Sequence, residues 1–330
     1  MIGVFLFLCD VQAGVVFDRV KKAGLVKCGI SYKIPGFASY DAKGDLQGFD
    51  VDLCKAVATT VFGDPKRVQF IEVLPSRQYD ALTKGKIDLL ATSTPNSFRN
   101  DVVKHIEFAP PVFFDKQGFL VSKSVGIKTI EDFKGVRVCV PNTQEKLKQL
   151  DDFFKNRDAL YMPIVESTLR EASKSYLDGK CEAFFGEKCQ LLAFLALMGA
   201  QAQKSEFYQI PGLKVILSPA VAEGDSSWLE IVSWTMNLLI FAEELGINSK
   251  NIKSLETFQN PLFSELMRNT QGTSTALNVA PAWVINLIET IGNYGEIYAR
   301  NFGYLEPLGL TRELNKLWLN GGLIYSTPFN

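Results

Sequence analysis

Residues 79–101 read YDALTKGKIDLLATSTPNSFRND, and this stretch decides the fold. Tyr79 and Leu82 share one face of a predicted short helix, and Gly85 is suited to end that helix in a left-handed conformation. The apolar run 87–91 that follows has the length of a buried strand. The stretch therefore predicts a helix that turns directly into a buried strand of an α/β sheet.

Small hydroxylated residues come next after this strand. They are Thr92, Ser93 and Thr94. Pro95 is the predicted first residue of the next helix, and Arg99 follows one turn later. In α/β sheets the ligand crevice lies beyond the carboxyl ends of the strands, so we expect these groups to point into it. Hydroxyl groups and one guanidinium are suited to bind an anion.

The same helix-glycine-strand unit recurs later in the chain. Residues 175–179 end a predicted helix, and residues 180–185 form the strand. The loop after this second strand carries Gly186, Glu187 and Lys188. An arginine from one unit and a carboxylate from the other would suit a ligand with both charges, such as an amino acid.

Composition limits the class of protein. A chain of 330 residues with 47% hydrophobic residues can bury two ordinary cores, which favours two domains. Lys and Arg number 35 against 36 Asp and Glu, for a net charge of -1, so no field attracts nucleic acid or anionic lipid. We therefore expect no nucleic-acid partner. The longest apolar run, Ile2–Cys9 apart from its glycine, is too short to cross a bilayer.

This run resembles the apolar part of a secretory signal peptide. Val11-Gln12-Ala13 follows it, and a small residue at the end of such a segment suits a signal peptidase. We therefore predict that residues 1–13 are a signal-peptide remnant cleaved after Ala13. Because no basic region precedes the run, a disordered end is the alternative.

Two disulfides are predicted among the six cysteines. Cys28 lies in the predicted strand 25–30 and Cys54 in the helix that follows, and we pair them. Cys139 and Cys181 lie in apolar runs that two neighbouring strands would bring within disulfide range. Disulfides agree with export from the cytosol.

The other cysteines carry no predicted bond. Cys9 would leave with the signal segment, and Cys189 stays alone on a helix. The alternative is that all of the remaining cysteines are buried thiols of a cytosolic protein. The sequence has no Cys-x-x-Cys pair and a single histidine, His105, so we expect no metal site.

The N-terminal part contains a loop rich in aromatic and turn-forming residues. Residues 32–40 form this loop, with Phe37 at its centre. At the carboxyl end of a strand, Phe37 would line an apolar wall of a pocket, or it would simply pack in the core. An amphipathic helix begins at Asp50, and the run Val68–Val73 is the second strand.

Residues 48–61, GFDVDLCKAVATTV, resemble the signature of the family 3 extracellular solute-binding proteins. These are the polar amino-acid receptors of bacterial ABC importers. The chain is most similar to the receptors for general L-amino acids or for glutamate, glutamine, aspartate and asparagine, and the resemblance covers nearly all of it after Ala13. Further matching segments are Ser76-Arg77, residues 79–101, 108–111, 138–140, 218–221, 292–296 and 321–325.

The resemblance implies a two-lobed α/β fold, the type II periplasmic-binding-protein-like fold, in which each lobe has a mostly parallel sheet flanked by helices. The chain would cross between the lobes at residues 115–121 and 215–221. Lobe 1 would then comprise residues 14–117 and 219–330, the second part ending in a helical extension, and lobe 2 residues 118–218. The helices that we predict from residue 143 onward are 143–154, 168–177, 187–198, 228–245, 282–291 and 312–319.

The resemblance also implies a ligand site on lobe 1. Arg99 matches the arginine that holds the ligand α-carboxylate, and a guanidinium pairs with a carboxylate through two hydrogen bonds. Thr92 and Thr94 match positions that complete this grip and contact the ammonium. A solvated helix charge is the alternative for Arg99. Arg77 matches an arginine near the side chain of acidic ligands, or else pairs with Asp80 or Glu72.

Lobe 2 would contribute the facing half of the site. Asn142 and Thr143 begin a helix whose free N–H groups suit an anion, and simple N-capping is the alternative. Glu187 stands where the family has an aspartate that receives the ligand ammonium; a surface acid at a helix start is the alternative. Lys188 would compete as a partner of Glu187. Pro95 stands where relatives carry an aromatic residue, so the side-chain subsite differs.

The function implied is capture of a polar L-amino acid in the periplasm by hinge closure and its delivery to the membrane permease of an ABC importer. Glutamate, glutamine, aspartate or asparagine is the favoured ligand, the protein acts as a monomer, and no cofactor is needed. The alternatives are a broad-range or cystine receptor, an enzyme of the cyclohexadienyl dehydratase type on the same fold, and a sensor module.

Overall fold

The computed structural model describes residues 14–32, 34–91, 94–155, 160–197, 204–308 and 310–329. The predicted signal segment 1–13, with Cys9, and the candidate ligand residue Thr92 lie outside this part of the chain. No helix in these ranges combines the length and the apolar composition that a bilayer span requires.

The elements alternate between strands and helices up to residue 222, after which helices predominate. The strands are β1 (Val26–Ile30), β2 (Ser39–Tyr40), β3 (Leu46–Gln47), β4 (Val68–Glu72), β5 (Leu89–Leu90), β6 (Ile106–Phe108), β7 (Phe113–Ser122), β8 (Arg137–Pro141), β9 (Met162–Glu166), β10 (Ala183–Glu187), β11 (Ser205–Leu217) and β12 (Ala220–Ala222). The helices are α1 (Val15–Ala23), α2 (Phe49–Phe62), α3 (Gln78–Thr83), α4 (Phe98–Lys104), α5 (Gln144–Lys155), α6 (Leu169–Leu177), α7 (Lys188–Ala196), α8 (Ser226–Glu244), α9 (Leu255–Gln259), α10 (Pro261–Thr273), α11 (Trp283–Ile291) and α12 (Tyr294–Phe302).

The first lobe is built on a sheet with the strand order β4-β1-β5-β12-β6. Strand β1 pairs in parallel with β4 and β5, and β12 is antiparallel to both of its neighbours. Of the predicted strand 87–91, only Leu89 and Leu90 form strand, because the ladder with β1 is two residue pairs long. Gly85 adopts a φ of +66° after α3, so the predicted left-handed end of that helix is confirmed.

The second lobe is built on a sheet with the order β11-β7-β10-β8-β9. Strands β10, β8 and β9 are parallel, whereas β7 is antiparallel to both β10 and β11. Among the described strands, each sheet thus has one strand that runs against the others. The predicted α/β architecture of two mostly parallel sheets with flanking helices is confirmed.

Two long paired strands connect the lobes. The ladder between β7 and β11 runs from Ser122 opposite Ser205 to Phe113 opposite Leu217, with an irregularity between Gln209 and Lys214. The predicted crossing 115–121 lies within β7, and the predicted crossing 215–221 covers the end of β11 and the start of β12.

Both predicted disulfides are formed. Cys28 in β1 bonds to Cys54 in α2 with 6.1 Å between the Cα atoms, and Cys139 in β8 bonds to Cys181 with 5.8 Å between the Cα atoms. Cys189 is a buried free thiol, as expected. Each bridge therefore links a strand to a neighbouring element inside one lobe.

Two helix predictions are wrong. Pro95 does not begin a helix, because it forms a β-bridge with Leu217, and α4 begins three residues later with Ser97 as its N-cap. The segment 312–319 is not a helix but two short 3-10 turns, because Glu313 takes a left-handed φ of +42°. Contacts with the crossing strands, rather than local helical preference, determine the conformation of both segments.

The C-terminal extension contacts both lobes. Arg312 forms an ion pair with Glu243 of α8 in lobe 1 and lies over the rings of Tyr294 and Tyr298. The 3-10 segment Gly303–Leu308 packs against α7 of lobe 2. The extension therefore spans the hinge on one side, which the prediction of a wrap over lobe 1 alone did not foresee.

We expect the lobe 2 disulfide to contribute strongly to stability. The Cys139–Cys181 bond closes a loop with a sequence separation of 42, so removing it frees the unfolded chain and should lower the free energy of unfolding by about 2 to 4 kcal/mol. Urea unfolding of the double variant Cys139→Ser/Cys181→Ser measures this, with the wild type in reductant as the control. A double variant as stable as the oxidised wild type would contradict the prediction.

Candidate functional site

The predicted ligand residues follow the carboxyl ends of parallel strands. Arg77 follows β4 and Arg99 follows β5 in lobe 1, while Asn142 follows β8 and Glu187 ends β10 in lobe 2. Because parallel strands end at the same edge of a sheet, each lobe gathers its candidate residues on one edge. The sequence order alone therefore places them in two groups, one for each lobe.

Arg99 lies in the first turn of α4 with its side chain exposed. Ser97 caps this helix by accepting a hydrogen bond of 3.3 Å from the Asn100 N–H. None of the residues of α4 is buried, and Phe98 at its start is 83% exposed. In the part of the chain that the structure describes, Arg99 forms no ion pair, so its guanidinium is open to a ligand.

The segment that leads to Arg99 is attached to the second crossing. The Asn96 N–H donates to the carbonyl of Ile216 over 2.7 Å, and its side-chain amide donates to the Ser218 hydroxyl over 3.1 Å. The carbonyl of Thr94 accepts from the Ser218 N–H over 3.2 Å. Thr94 itself is buried at 1% exposure, so its hydroxyl is not open to solvent in this conformation. The hinge thus determines where α4 and Arg99 stand.

Phe37 is a core residue. Its ring lies 5.0 Å from that of Phe302 and 5.4 Å from that of Phe113, and 1% of its surface is exposed. Phe37 is thus packed in the core in this conformation, and its place in the wall of a ligand pocket stays a prediction. The Phe37 ring is buried because Gly48 and Gly36 allow the loop 34–38 to fold back onto α2 and α12.

The two edges face each other near the start of α3. Burial, together with the negative charge of Glu145 on α5, raises the pKa of Tyr79 to about 12. Tyr79 belongs to lobe 1 and Glu145 to lobe 2, so α3 and the start of α5 lie close together. Arg77 is exposed at the N-cap of α3 and forms no ion pair with a described residue, whereas Asp80 pairs with Lys84.

Asn142 and Thr143 lie at the start of α5 as predicted. The Thr143 hydroxyl accepts from the Lys146 N–H over 3.3 Å, so this residue caps the helix. The Asn142 N–H donates to the carbonyl of Glu166, and its side chain is exposed. The capping alternative is therefore realised for Thr143, while the exposed Asn142 is available to a ligand.

Glu187 is neither a surface acid nor free. It is 8% exposed and forms an ion pair with Lys146, one turn into α5. Burial acts to raise the pKa of Glu187, but the charge and hydrogen bond of Lys146, with a hydrogen bond from Gln117, outweigh it and lower that pKa. The partner is thus Lys146 and not Lys188, which pairs with Glu313.

The first crossing strand carries two inward polar residues that the sequence analysis missed. Asp115 and Gln117 lie on the same buried face of β7 as Phe113 and Phe119. Gln117 donates to Gln149 over 3.1 Å and lies opposite Glu187 in the β7–β10 ladder. An Asp and a Gln in phase with buried phenylalanines at a two-residue period are the signal that could have revealed them.

Asp115 is held by backbone amides. Its carboxylate accepts from the Lys116 N–H over 2.8 Å and from the Cys189 N–H over 3.1 Å. Burial raises the pKa of Asp115 to about 7, the two amide bonds oppose this rise, and the charge of Glu187 adds to it. The start of α7, next to Glu187, is therefore tied to the hinge strand through this carboxyl group.

A third carboxylate joins the hinge, lobe 2 and the C-terminal extension. Glu313 accepts from Lys116 of β7 and from Lys188 of α7, each over 2.6 Å. The Asn315 side chain also pairs with the backbone of Phe114 through bonds of 2.7 and 2.9 Å. These contacts hold the extension against the crossing strand.

The site offers cations on the lobe 1 edge and a helix start with an ion pair on the lobe 2 edge. Guanidinium groups bind carboxylates, and helix N-termini bind anions. Within the described ranges no cluster of His, Cys, Asp and Glu is suited to hold a metal ion. The arrangement is therefore suited to bind a small charged ligand between the edges.

The chain is similar to known proteins along most of its length. Residues 26–303 match the family described as bacterial extracellular solute-binding proteins, family 3. The chain is 36% identical to the general L-amino acid-binding periplasmic protein AapJ of Rhizobium johnstonii, over 94% of this chain and 91% of that protein. It is 32% identical to the glutamate/glutamine/aspartate/asparagine-binding protein BztA of Rhodobacter capsulatus, over 94% of this chain and 92% of that protein.

A solved structure is similar along the whole chain. A periplasmic binding protein of an ABC transporter from Brucella ovis, with glutathione bound, superposes with a TM-score of 0.88 at 32% identity. The superposition covers 97% of this chain and 100% of that one. The relatives with assigned ligands thus bind amino acids or a peptide built from them.

We expect Asp115 to make stability depend on pH. Its pKa of about 7 in the folded protein exceeds the unfolded value of about 3.9, so the folded state holds the proton more tightly. The free energy of unfolding should therefore fall as pH rises from about 4 to about 7, by at most about 1.4 kcal/mol per pH unit. Asp115→Asn should remove this decline.

Urea unfolding at a series of pH values measures the effect. The readout is the pH slope, which does not depend on how the amide alters stability at any one pH. Asp178→Asn, at an exposed position of lobe 2, is the matched control and should keep the wild-type slope. Equal slopes for Asp115→Asn and the wild type would show that the buried carboxyl group does not titrate in this range.

Proposed function

The chain belongs to the bacterial extracellular solute-binding proteins of family 3, and from this membership we propose that it captures a polar L-amino acid in the periplasm by closure of its two lobes. It then delivers the ligand to the membrane permease of an ABC importer. The protein acts as a monomer, and binding without turnover is its whole activity. Arg99 holds the α-carboxylate, and lobe 2 completes the grip.

One observation carries the proposal. Arg99 is an exposed cation at the edge of lobe 1, and it forms no ion pair with a described residue. Hydrogen bonds attach the segment before its helix to the second crossing. An unpaired guanidinium on an element attached to the hinge is suited to bind an anionic group of a ligand. Contacts made by both lobes exist only in the closed form, so the ligand shifts the equilibrium toward closure.

The range of ligands is argued from the relatives. AapJ is named for general L-amino acids and BztA for glutamate, glutamine, aspartate and asparagine. The Brucella ovis structure holds glutathione, a peptide whose γ-glutamyl end carries the α-carboxylate and ammonium of an amino acid. We therefore place glutamate, glutamine, aspartate, asparagine and glutathione in the group to be tested, with Arg77 near the ligand side chain.

An enzyme of the dehydratase type would need an acid that reaches the ligand. His105 is exposed at the end of α4 and pairs with Glu223 over 3.0 Å. Asp115 has a pKa near neutrality, but it is buried and bonded to two backbone amides. Neither residue is placed to donate a proton to a ligand in the cleft, which supports binding over catalysis.

Arg99→Ala should strongly weaken binding of every ligand. Loss of a bidentate carboxylate contact in a closed site raises Kd by about 30-fold to a few thousand-fold, since truncating one partner of such a pair costs about 2 to 5 kcal/mol. Arg77→Ala should weaken binding of glutamate and aspartate more than binding of their amides. Calorimetric titration of both variants and the wild type with glutamate, glutamine, aspartate, asparagine, arginine and glutathione measures these effects.

The matched control is Lys104→Ala, which removes one positive charge from the opposite end of the same helix. It should bind as the wild type does. Normal binding by Arg99→Ala would place the carboxylate site elsewhere. A wild-type protein that binds none of the six ligands would overturn the proposed function itself.

A further inference from the structure

Lys146 and Glu187 form a nearly buried ion pair at the ligand edge of lobe 2. Their side chains are 13% and 11% exposed. Lys146 stands one turn into α5, directly after Glu145, whose charge acts on Tyr79 of the other lobe. The pair lies beside the crossing strand β7, because Glu187 is opposite Gln117 in the β7–β10 ladder, and it occupies the carboxylate that the family resemblance assigns to the ligand ammonium.

The surroundings of Lys146 hold it in this place. Its ammonium lies 5.8 Å from the centre of the Phe185 ring, on the same strand as Glu187. Gln117, which lies opposite Glu187 in the β7–β10 ladder, helps to lower the pKa of Glu187 and donates to Gln149 of α5. Removing one partner from such a pair would leave an uncompensated buried charge, so the pair persists as a unit. An ammonium has three donors, and those not used on Glu187 remain for a ligand.

Arg77 and Arg99 are exposed cations on the lobe 1 edge, and neither forms an ion pair with a described residue. Lys146 adds an ammonium on the lobe 2 edge, where it is paired with Glu187. A neutral zwitterion brings one carboxylate to these cations, whereas a ligand with two carboxylates and one ammonium brings two.

We propose, on the basis of the function proposed above, that Lys146 is a specificity-determining residue of this site. Its ammonium neutralises Glu187 and binds the second carboxylate of the ligand. The ligand class is then amino acids or γ-glutamyl peptides with one net negative charge, such as glutamate or glutathione, in preference to their neutral amides and to cationic amino acids. Arg99 binds the first carboxylate, and the ligand ammonium shares Glu187 with Lys146.

The test compares glutamate with glutamine, which differ in one carboxylate and little in shape. The wild type should bind glutamate more tightly. Lys146→Met keeps the length of the side chain and removes its charge, so the ratio of the glutamine Kd to the glutamate Kd should fall by at least about tenfold. Affinity for arginine should rise, because the carboxylate of Glu187 becomes available. Calorimetric titration gives all three constants.

Lys148→Met is the matched control. Lys148 lies on the same helix and carries the same charge, but it is exposed and pairs with Asp152 over 2.5 Å. It should keep the wild-type ratio, which separates a contact with the ligand from a change in the overall field. Lys146→Arg keeps the charge and should keep the preference for glutamate.

If Lys146→Met does not fold, the double variant Lys146→Met/Glu187→Gln removes both charges and leaves no buried ion unpaired. It should lose the preference for glutamate. An unchanged ratio in either variant, or a wild type that binds glutamine as tightly as glutamate, overturns the inference. This failure is distinct from that of the proposed function, because Arg99→Ala would still strongly weaken binding while the Lys146 variants left the ratio unchanged.

Discussion

The antiparallel ladder between β7 and β11 is the constraint on which the rest of the structure depends. The two strands belong to the lobe 2 sheet along their length, and at Phe113 and Leu217 they enter lobe 1. Because backbone hydrogen bonds join them, the chain crosses between the lobes as one ribbon rather than as two independent linkers. Bending of this ribbon is therefore the simplest motion by which the lobes can approach each other.

The charged groups of the site are attached to this ribbon through short paths. Asn96 bonds to the second crossing and carries α4 with Arg99, while Asp115 in the first crossing holds the start of α7 next to Glu187. The C-terminal extension adds a third attachment through Glu313 and Asn315. A change in the conformation of the hinge therefore moves Arg99 of lobe 1 and Glu187 of lobe 2 together.

Local patterns were enough to predict most elements, because they depend on neighbours in sequence. The helix that ends at Gly85, the strands with Cys28 and Cys139, and both disulfides follow from short apolar runs. The helix predictions for Pro95 and for the segment 312–319 were wrong because distant contacts with the crossing strands decide the conformation of these residues. Phe37 and Lys146 show the same limit: a helical lysine and a loop phenylalanine look ordinary until the fold buries them.

Glu187 and Lys146 form one ion pair and are best understood together. A glutamate reaches one methylene further than the expected aspartate, and here that reach ends on an ammonium of α5. Keeping a carboxylate this deeply buried ionised without a partner is unfavourable, because the loss of hydration costs several kcal/mol. The ammonium of Lys146 therefore keeps Glu187 ionised. It also neutralises that carboxylate, so Glu187 attracts a second cation less strongly. If the resemblance is right that an aspartate is usual at position 187, the proposed role of Lys146 means that this exchange changes the charge of the pocket as well as the reach of the carboxylate.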